Sequence, residues 1–227
     1  MRDLTYIALL LDRSGSMGSI KNDVIGGFNN FVADQKKAGD NALLTLTQFD
    51  SYGIDVVHES KPIKDVIDLN DETYQPRGGT PLLDALAKTI QSTGAALKAI
   101  PETERPDKVV FVIITDGQEN SSHQFNKSQV REMIEHQENV YKWNFVYLGA
   151  NQDAFAEAGA VGILQTNAAN FTPNNMAKGY AAASANVARY RGSGLKSDLK
   201  WSAEQRQSMT DDQTDSWSST TTSTAAK

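Results

Sequence analysis

Six apolar residues in a row, Tyr6-Ile7-Ala8-Leu9-Leu10-Leu11, run directly into Asp12-Arg13-Ser14-Gly15-Ser16. A run that short and unbroken predicts a strand covered on both faces, as in a mainly parallel sheet flanked by helices. The residues that follow carry side-chain oxygens at alternate positions, 12, 14 and 16. Gly15 allows a tight turn, so the three oxygens can converge on one point. Hard oxygen donors at the end of a buried strand suit a cation such as Mg²⁺. Taken alone, the same residues also fit a turn whose hydroxyls cap the next helix.

Two further segments narrow the choice. Gly78-Gly79-Thr80-Pro81-Leu82 offers another hydroxyl, and Val109-Val110-Phe111-Val112-Ile113-Ile114-Thr115 is a second apolar strand that ends in Asp116-Gly117. In this order the three segments resemble the metal-ion-dependent adhesion site of the von Willebrand factor A-type domain. That pattern is Asp-x-Ser-x-Ser, then a distant Thr, then a distant Asp. Asp12, Ser14, Ser16, Thr80 and Asp116 fill every position. The resemblance implies a doubly wound, Rossmann-like α/β domain over residues 1–191. It assigns Ser14, Ser16 and Thr80 as hydroxyl ligands of Mg²⁺, with Mn²⁺ the alternative ion. Asp12 and Asp116 act directly or through water. An open position on the ion then takes a Glu or Asp side chain of a partner protein, with no bond made or broken.

The rest of the chain alternates in the way such a domain requires. Ile20, Val24, Phe28 and Phe31 share one face of a helix over 18–38, interrupted by Gly26-Gly27. A second strand over 42–49 is joined through Asp50-Ser51-Tyr52-Gly53 to a more polar strand over 54–58. So short a turn permits only an antiparallel pair, which puts the third strand at the sheet edge. Leu83, Leu86, Ile90 and Leu97 form the buried stripe of a helix opened by Thr80-Pro81. Asn126 and Gln129 have capping-box spacing ahead of Val130, Met133 and Ile134. Residues 143–148 and 161–164 read as the fifth and sixth strands, and Thr172-Pro173 starts a last helix. Strand-helix alternation gives a six-stranded sheet in the order 3-2-1-4-5-6, strand 3 antiparallel, with helices on both faces. Strands 1 and 4 then meet at the switch point, and Asp12 and Asp116 stand at their carboxyl ends.

Composition removes several function classes. The chain has 227 residues, a net charge of −6 and no cysteine. Disulfides and thiolate chemistry are excluded, and an acidic chain does not suggest a nucleic-acid or anionic-membrane partner. The N-terminus lacks the shape of a signal peptide and no apolar run approaches a membrane span, so a cytoplasmic protein is expected, with a virion-associated one as the alternative. Residues 202–227 hold twelve Ser or Thr, and a flexible tail is expected over 192–227. His58, His123 and His136 are scattered and read as surface residues.

The expected function is an adaptor, in a bacterial or phage setting, that binds a partner through the ion. The partner is an AAA-type ATPase or an assembly neighbour. A structural part of a larger assembly, such as a virion or secretion machine, is the alternative. Mg²⁺-dependent phosphoryl transfer is disfavoured, because position 14 is Ser where the Asp-x-Asp phosphatase pattern needs Asp, and no P-loop is present. The protein is therefore not expected to be an enzyme.

Overall fold

The computed structural model describes residues 3–150 and 154–211. Its centre is a six-stranded sheet in the order β3-β2-β1-β4-β5-β6. The strands are β1 (Thr5–Asp12), β2 (Ala42–Asp50), β3 (Gly53–Pro62), β4 (Lys108–Thr115), β5 (Asn144–Ala150) and β6 (Ala168–Phe171). Only β3 runs antiparallel, against β2 at the edge. All other pairs are parallel. The helices are α1 (Lys21–Lys37), α2 (Leu82–Ala99), α3 (Lys127–Tyr141), α4 (Ala154–Ala160), α5 (Met176–Ser193) and α6 (Ala203–Thr210).

Alternation along the strands divides the core in two. Ile7, Leu9 and Leu11 of β1, with Val110, Val112 and Ile114 of β4, face Val24, Phe28 and Phe31 of α1 and Tyr180, Ala183 and Val187 of α5. Tyr6, Ala8 and Leu10, with Phe111 and Ile113, face Leu83, Leu86 and Ile90 of α2 and Val130 and Ile134 of α3. Both faces of the central strands are covered, which is why their sequences are continuous apolar runs. All four expected stripe residues of α1 and of α2 are buried, and the Asn126–Gln129 capping box forms.

Three expectations need correction. Residues 161–164 are not a strand. Val161 N and Ile163 N donate to Glu157 O and Ala158 O, so this segment closes α4, with both apolar side chains buried beneath it. The sixth strand is the alanine-rich β6, whose register is Tyr147↔Ala168 to Ala150↔Phe171. Second, the segment 194–211, expected as tail, is packed. Trp201 donates from its backbone N to Thr166 O and from Nε1 to Asn167 O, both at 3.0 Å. Leu199, Trp201 and Met209 join the α1/α5 side of the core, and Ser202 and Gln205 form a capping box on α6. Three anchors spread over eleven residues make no periodic stripe, so only tertiary packing reveals them. Residues 212–227 of that expected tail lie outside the described residues. Third, His58 is buried, with Nε2 3.0 Å from Ile67 O. His123 and His136 are exposed, as expected.

Candidate metal centre

Parallel pairing brings the carboxyl ends of β1 and β4 side by side, with Leu11 level with Ile114. Asp12 is the last residue of β1, and its carboxylate is locked from two sides. Oδ1 accepts from Ser14 N at 2.7 Å and Oδ2 accepts from the Thr115 hydroxyl at 2.6 Å. Its backbone carbonyl accepts from the buried Tyr74 hydroxyl at 2.6 Å. The Ser14 N–H bond is the turn that sends the chain back over the strand end. Ser14 Oγ and Ser16 Oγ are then 3.1 Å apart, and Ser16 Oγ donates to Asp116 Oδ1 at 2.7 Å.

Thr80 arrives from the third segment. Gly15 N donates to Gly78 O at 2.9 Å and Arg77 N to Arg13 O at 2.8 Å, which fastens the 77–80 segment to the 12–16 loop. On its other side, Thr80 N donates to Asn120 Oδ1 and Asn120 N to Thr80 O. A side-chain carbon added at Gly117 would lie 2.6 Å from Thr80 Oγ1 and 3.5 Å from both Asp12 Oδ2 and Ser16 Oγ. One point on the loop after β4 therefore sees oxygens from the other two loops, and only glycine leaves that space open. The five expected residues, Asp12, Ser14, Ser16, Thr80 and Asp116, are all brought together.

The helix-capping alternative does not hold. Neither the turn at Gly15–Ile20 nor α1 has a side-chain cap from these serines. Thr80 does not cap α2 either. Glu119 Oε2 accepts from Leu83 N and Ser122 Oγ from Asp84 N, so the loop after β4 caps that helix. The Thr80 side chain turns instead to the space beside Gly117, and the residue is 2 % exposed.

Charge balance points the same way. Burial, only partly offset by the Thr115 and Ser14 hydrogen bonds, pushes the Asp12 carboxyl up to about 6. Burial also raises Asp116 above the usual carboxylate range. Asp12 has no ion-pair partner among the described residues. Two carboxylates and three hydroxyls are oxygen donors of the kind a hard divalent cation takes. Among the described residues no three His, Asp or Glu side chains converge as a metal-binding group. Binding here would depend on the hydroxyls and would leave coordination positions open.

Several residues have roles that differ from the sequence reading or were missed by it. Met17 is buried, and Arg13 turns inward to Asp50, Gln48 and Asp55. Thr115, Glu119, Asn120 and Asp84 position the loops, and none stood out. Asp84 accepts from the backbone N–H groups of His123, Gln124 and Phe125. An acid inside the apolar stretch Leu82-Leu83-Asp84-Ala85-Leu86 was the available signal.

No protein-family model matches the chain, and no curated protein matches it. Solved structures do. A von Willebrand factor type A protein from Catenulispora acidiphila aligns with a TM-score of 0.52 and 16 % identity, over 81 % of this chain and 42 % of the other. The fold is that of a von Willebrand factor A-type domain. Proximal thread matrix protein 1 from the mussel byssus superposes on this A-type fold with a TM-score of 0.57 and 12 % identity, over 78 % of this chain and 46 % of its own. The same mussel protein with a zinc-occupied MIDAS motif gives 0.53 and 13 % identity, over 77 % and 45 %. The chain spans less than half the length of these proteins.

Proposed function

We propose that this A-type fold is a protein-interaction module that holds one divalent cation, Mg²⁺ or Mn²⁺, and binds an acidic side chain of a partner through it. The observation that carries this reading is the convergence of Asp12, Ser16 and Thr80 oxygens around the space that Gly117 leaves open, with Ser14 and Asp116 hydrogen-bonded to Ser16. A mussel protein of the same fold was solved with zinc in its MIDAS motif, which supports a divalent ion here. When bound, the ion would supply a Lewis-acidic position open to a carboxylate.

The residues of this chain do the rest. Ser14, Ser16 and Thr80 present neutral oxygens. Asp12 and Asp116 supply two negative charges, so the charge of a divalent ion is balanced but not exceeded. The Asp12 backbone is held by Tyr74 and its carboxylate by Thr115 and Ser14. That fixed geometry favours recognition over turnover. No lysine lies in the metal loops, and His123 engages Asp84 only through its backbone N–H. The module is accordingly read as non-enzymatic and cytoplasmic, its partner an AAA-type ATPase or assembly neighbour with an exposed Glu or Asp. No helix among the described residues is long and apolar enough to cross a membrane.

The test is capture of partners from the native source on tagged protein, in Mg²⁺ and in EDTA, beside Asp12→Ala and Asp116→Ala. The proposal expects one protein retained in Mg²⁺ and lost in the other three arms. The same partners in all four arms would remove it.

A further inference from the structure

Arg77 stands beside the metal centre with half of its guanidinium uncommitted. Its own N–H and the carbonyl of Gly78 are both tied to the 12–16 loop, as described above. Its Nε donates to Asp50 Oδ2 at 2.9 Å, and the cation lies over the Tyr52 ring, 5.4 Å from the centroid. Asp50 is a firm anchor. It is buried, it takes Arg13 Nε at 2.8 Å, and its Oδ1 accepts from Tyr52 N and Gly53 N. The turn that bears Tyr52 is in turn clamped to the Thr80 segment, through Ser51 N to Gly79 O and Gly79 N to Ser51 Oγ.

Neither Nη atom of Arg77 hydrogen-bonds to a described residue, and the side chain is 51 % exposed. Arg13, the other arginine at this end of the sheet, commits Nε, Nη1 and Nη2 to Asp50, Gln48 and Asp55. Arg77 alone of the two can take a ligand. A guanidinium fixed through Nε and stacked on an aromatic ring keeps its remaining edge pre-organised for two parallel bonds to a carboxylate.

We infer that Arg77, backed by Tyr52, is a second carboxylate-binding point next to the metal centre, and that the partner presents an extended segment with two acidic residues. The inference rests on the metal-bridged reading above and adds the partner's sequence character to it. Arg77 precedes Thr80 by three residues, so their Cα atoms are at most about 11 Å apart. An extended segment advances about 3.3 Å per residue. The second acid therefore follows or precedes the ion-bound one by two or three positions. The chain carries a net charge of −6, which repels an acidic segment over most of its surface. The ion's open position and the uncommitted edge of Arg77 are the two carboxylate-accepting points at that rim, and together they orient such a segment there.

The test uses two fluorescein-labelled peptides of alternating Gly and Ser, one with a single central Glu and one with a second Glu two residues later. Anisotropy titrations are run with wild type, Arg77→Gln, Arg77→Lys and Asp116→Ala, in Mg²⁺ and in EDTA. A cooperative melt in EDTA serves as the folding control for each variant. The two-acid peptide should bind wild type about tenfold more tightly than the one-acid peptide. That ratio should fall to within about twofold in Arg77→Gln and be partly kept in Arg77→Lys, which retains charge without the fork. Equal affinities in wild type, or a ratio unchanged in Arg77→Gln, with binding still dependent on Mg²⁺, would overturn the role of Arg77 and leave the metal-bridged reading intact. Binding that persists in EDTA and in Asp116→Ala, or no binding of either peptide, would overturn both.

Discussion

Asp12 is stabilising only when its charge is met. Its carboxyl, pushed up to about 6 by burial, ionises at a cost in the metal-free protein. The sign follows from linkage. The folded state holds a proton between the ordinary carboxyl range and pH 6 that the unfolded state has lost, so stability falls as pH rises through that window. A shift of this size corresponds to about 3 kcal/mol. Asp12→Asn keeps the shape and an oxygen for Ser14 N, and Thr115 Oγ1 can turn to accept from the new amide. At pH 7 without metal it should melt higher than wild type, and its stability should lose the fall between pH 4 and 6. It should also show no further rise with Mg²⁺. Chemical denaturation at pH 4.5 and 7, with and without Mg²⁺, checks all three. A lower stability than wild type at pH 7 in EDTA would mean that the buried charge is not the cost described.

At the scale of elements, α1 and α5 cross at a glycine. A side-chain carbon at Gly27 would fall 2.3 Å from the Tyr180 ring, whereas one at Gly26 meets nothing within 4 Å. The neighbours should respond oppositely to alanine. Gly26→Ala should stabilise by up to about 1 kcal/mol through helix propensity. Gly27→Ala should destabilise by about 1–3 kcal/mol, because the ring is enclosed by core and cannot retreat. Urea melts of the two variants decide it, and equal effects would contradict the crossing geometry. In the sequence the pair stood out only as an interruption of the helix, and its two members could not be distinguished. Elements with dense local signals were legible in the same way: the apolar runs of β1 and β4, the stripes of α1 and α2, the Asn126 box. β6 was not, because Ala168-Ala169-Asn170-Phe171 carries little strand signal and is defined by its pairing with β5. The five oxygen donors could be proposed because they fill, in order, the pattern of the A-type adhesion site, and apolar runs independently put Asp12 and Asp116 at strand ends. Thr115, Asn120 and Glu119 could not, since a hydrogen bond between loops has no period.

Over the whole molecule, the packed 194–211 segment completes the α1/α5 side of the core. Trp201 lies 5 % exposed among residues that the sheet and α5 leave uncovered, and its two hydrogen bonds hold the chain ahead of β6. Trp201→Ala should cost about 3–5 kcal/mol, the range for a large buried aromatic, against almost nothing for a detached tail. Calorimetric melting of the variant checks it. That stability is separate from the metal centre, which lies at the junction of β1 and β4, so Trp201→Ala should keep its response to the ion. The proposed metal-bridged recognition requires that five side chains from three loops hold one divalent cation. Isothermal titration calorimetry of Mg²⁺ and Mn²⁺ into the metal-free protein at pH 7.5 tests it most directly. One site per chain is expected in wild type, and loss of that site in Asp12→Ala and Asp116→Ala. Heat of binding that is absent in wild type, or unchanged in both variants, would contradict it.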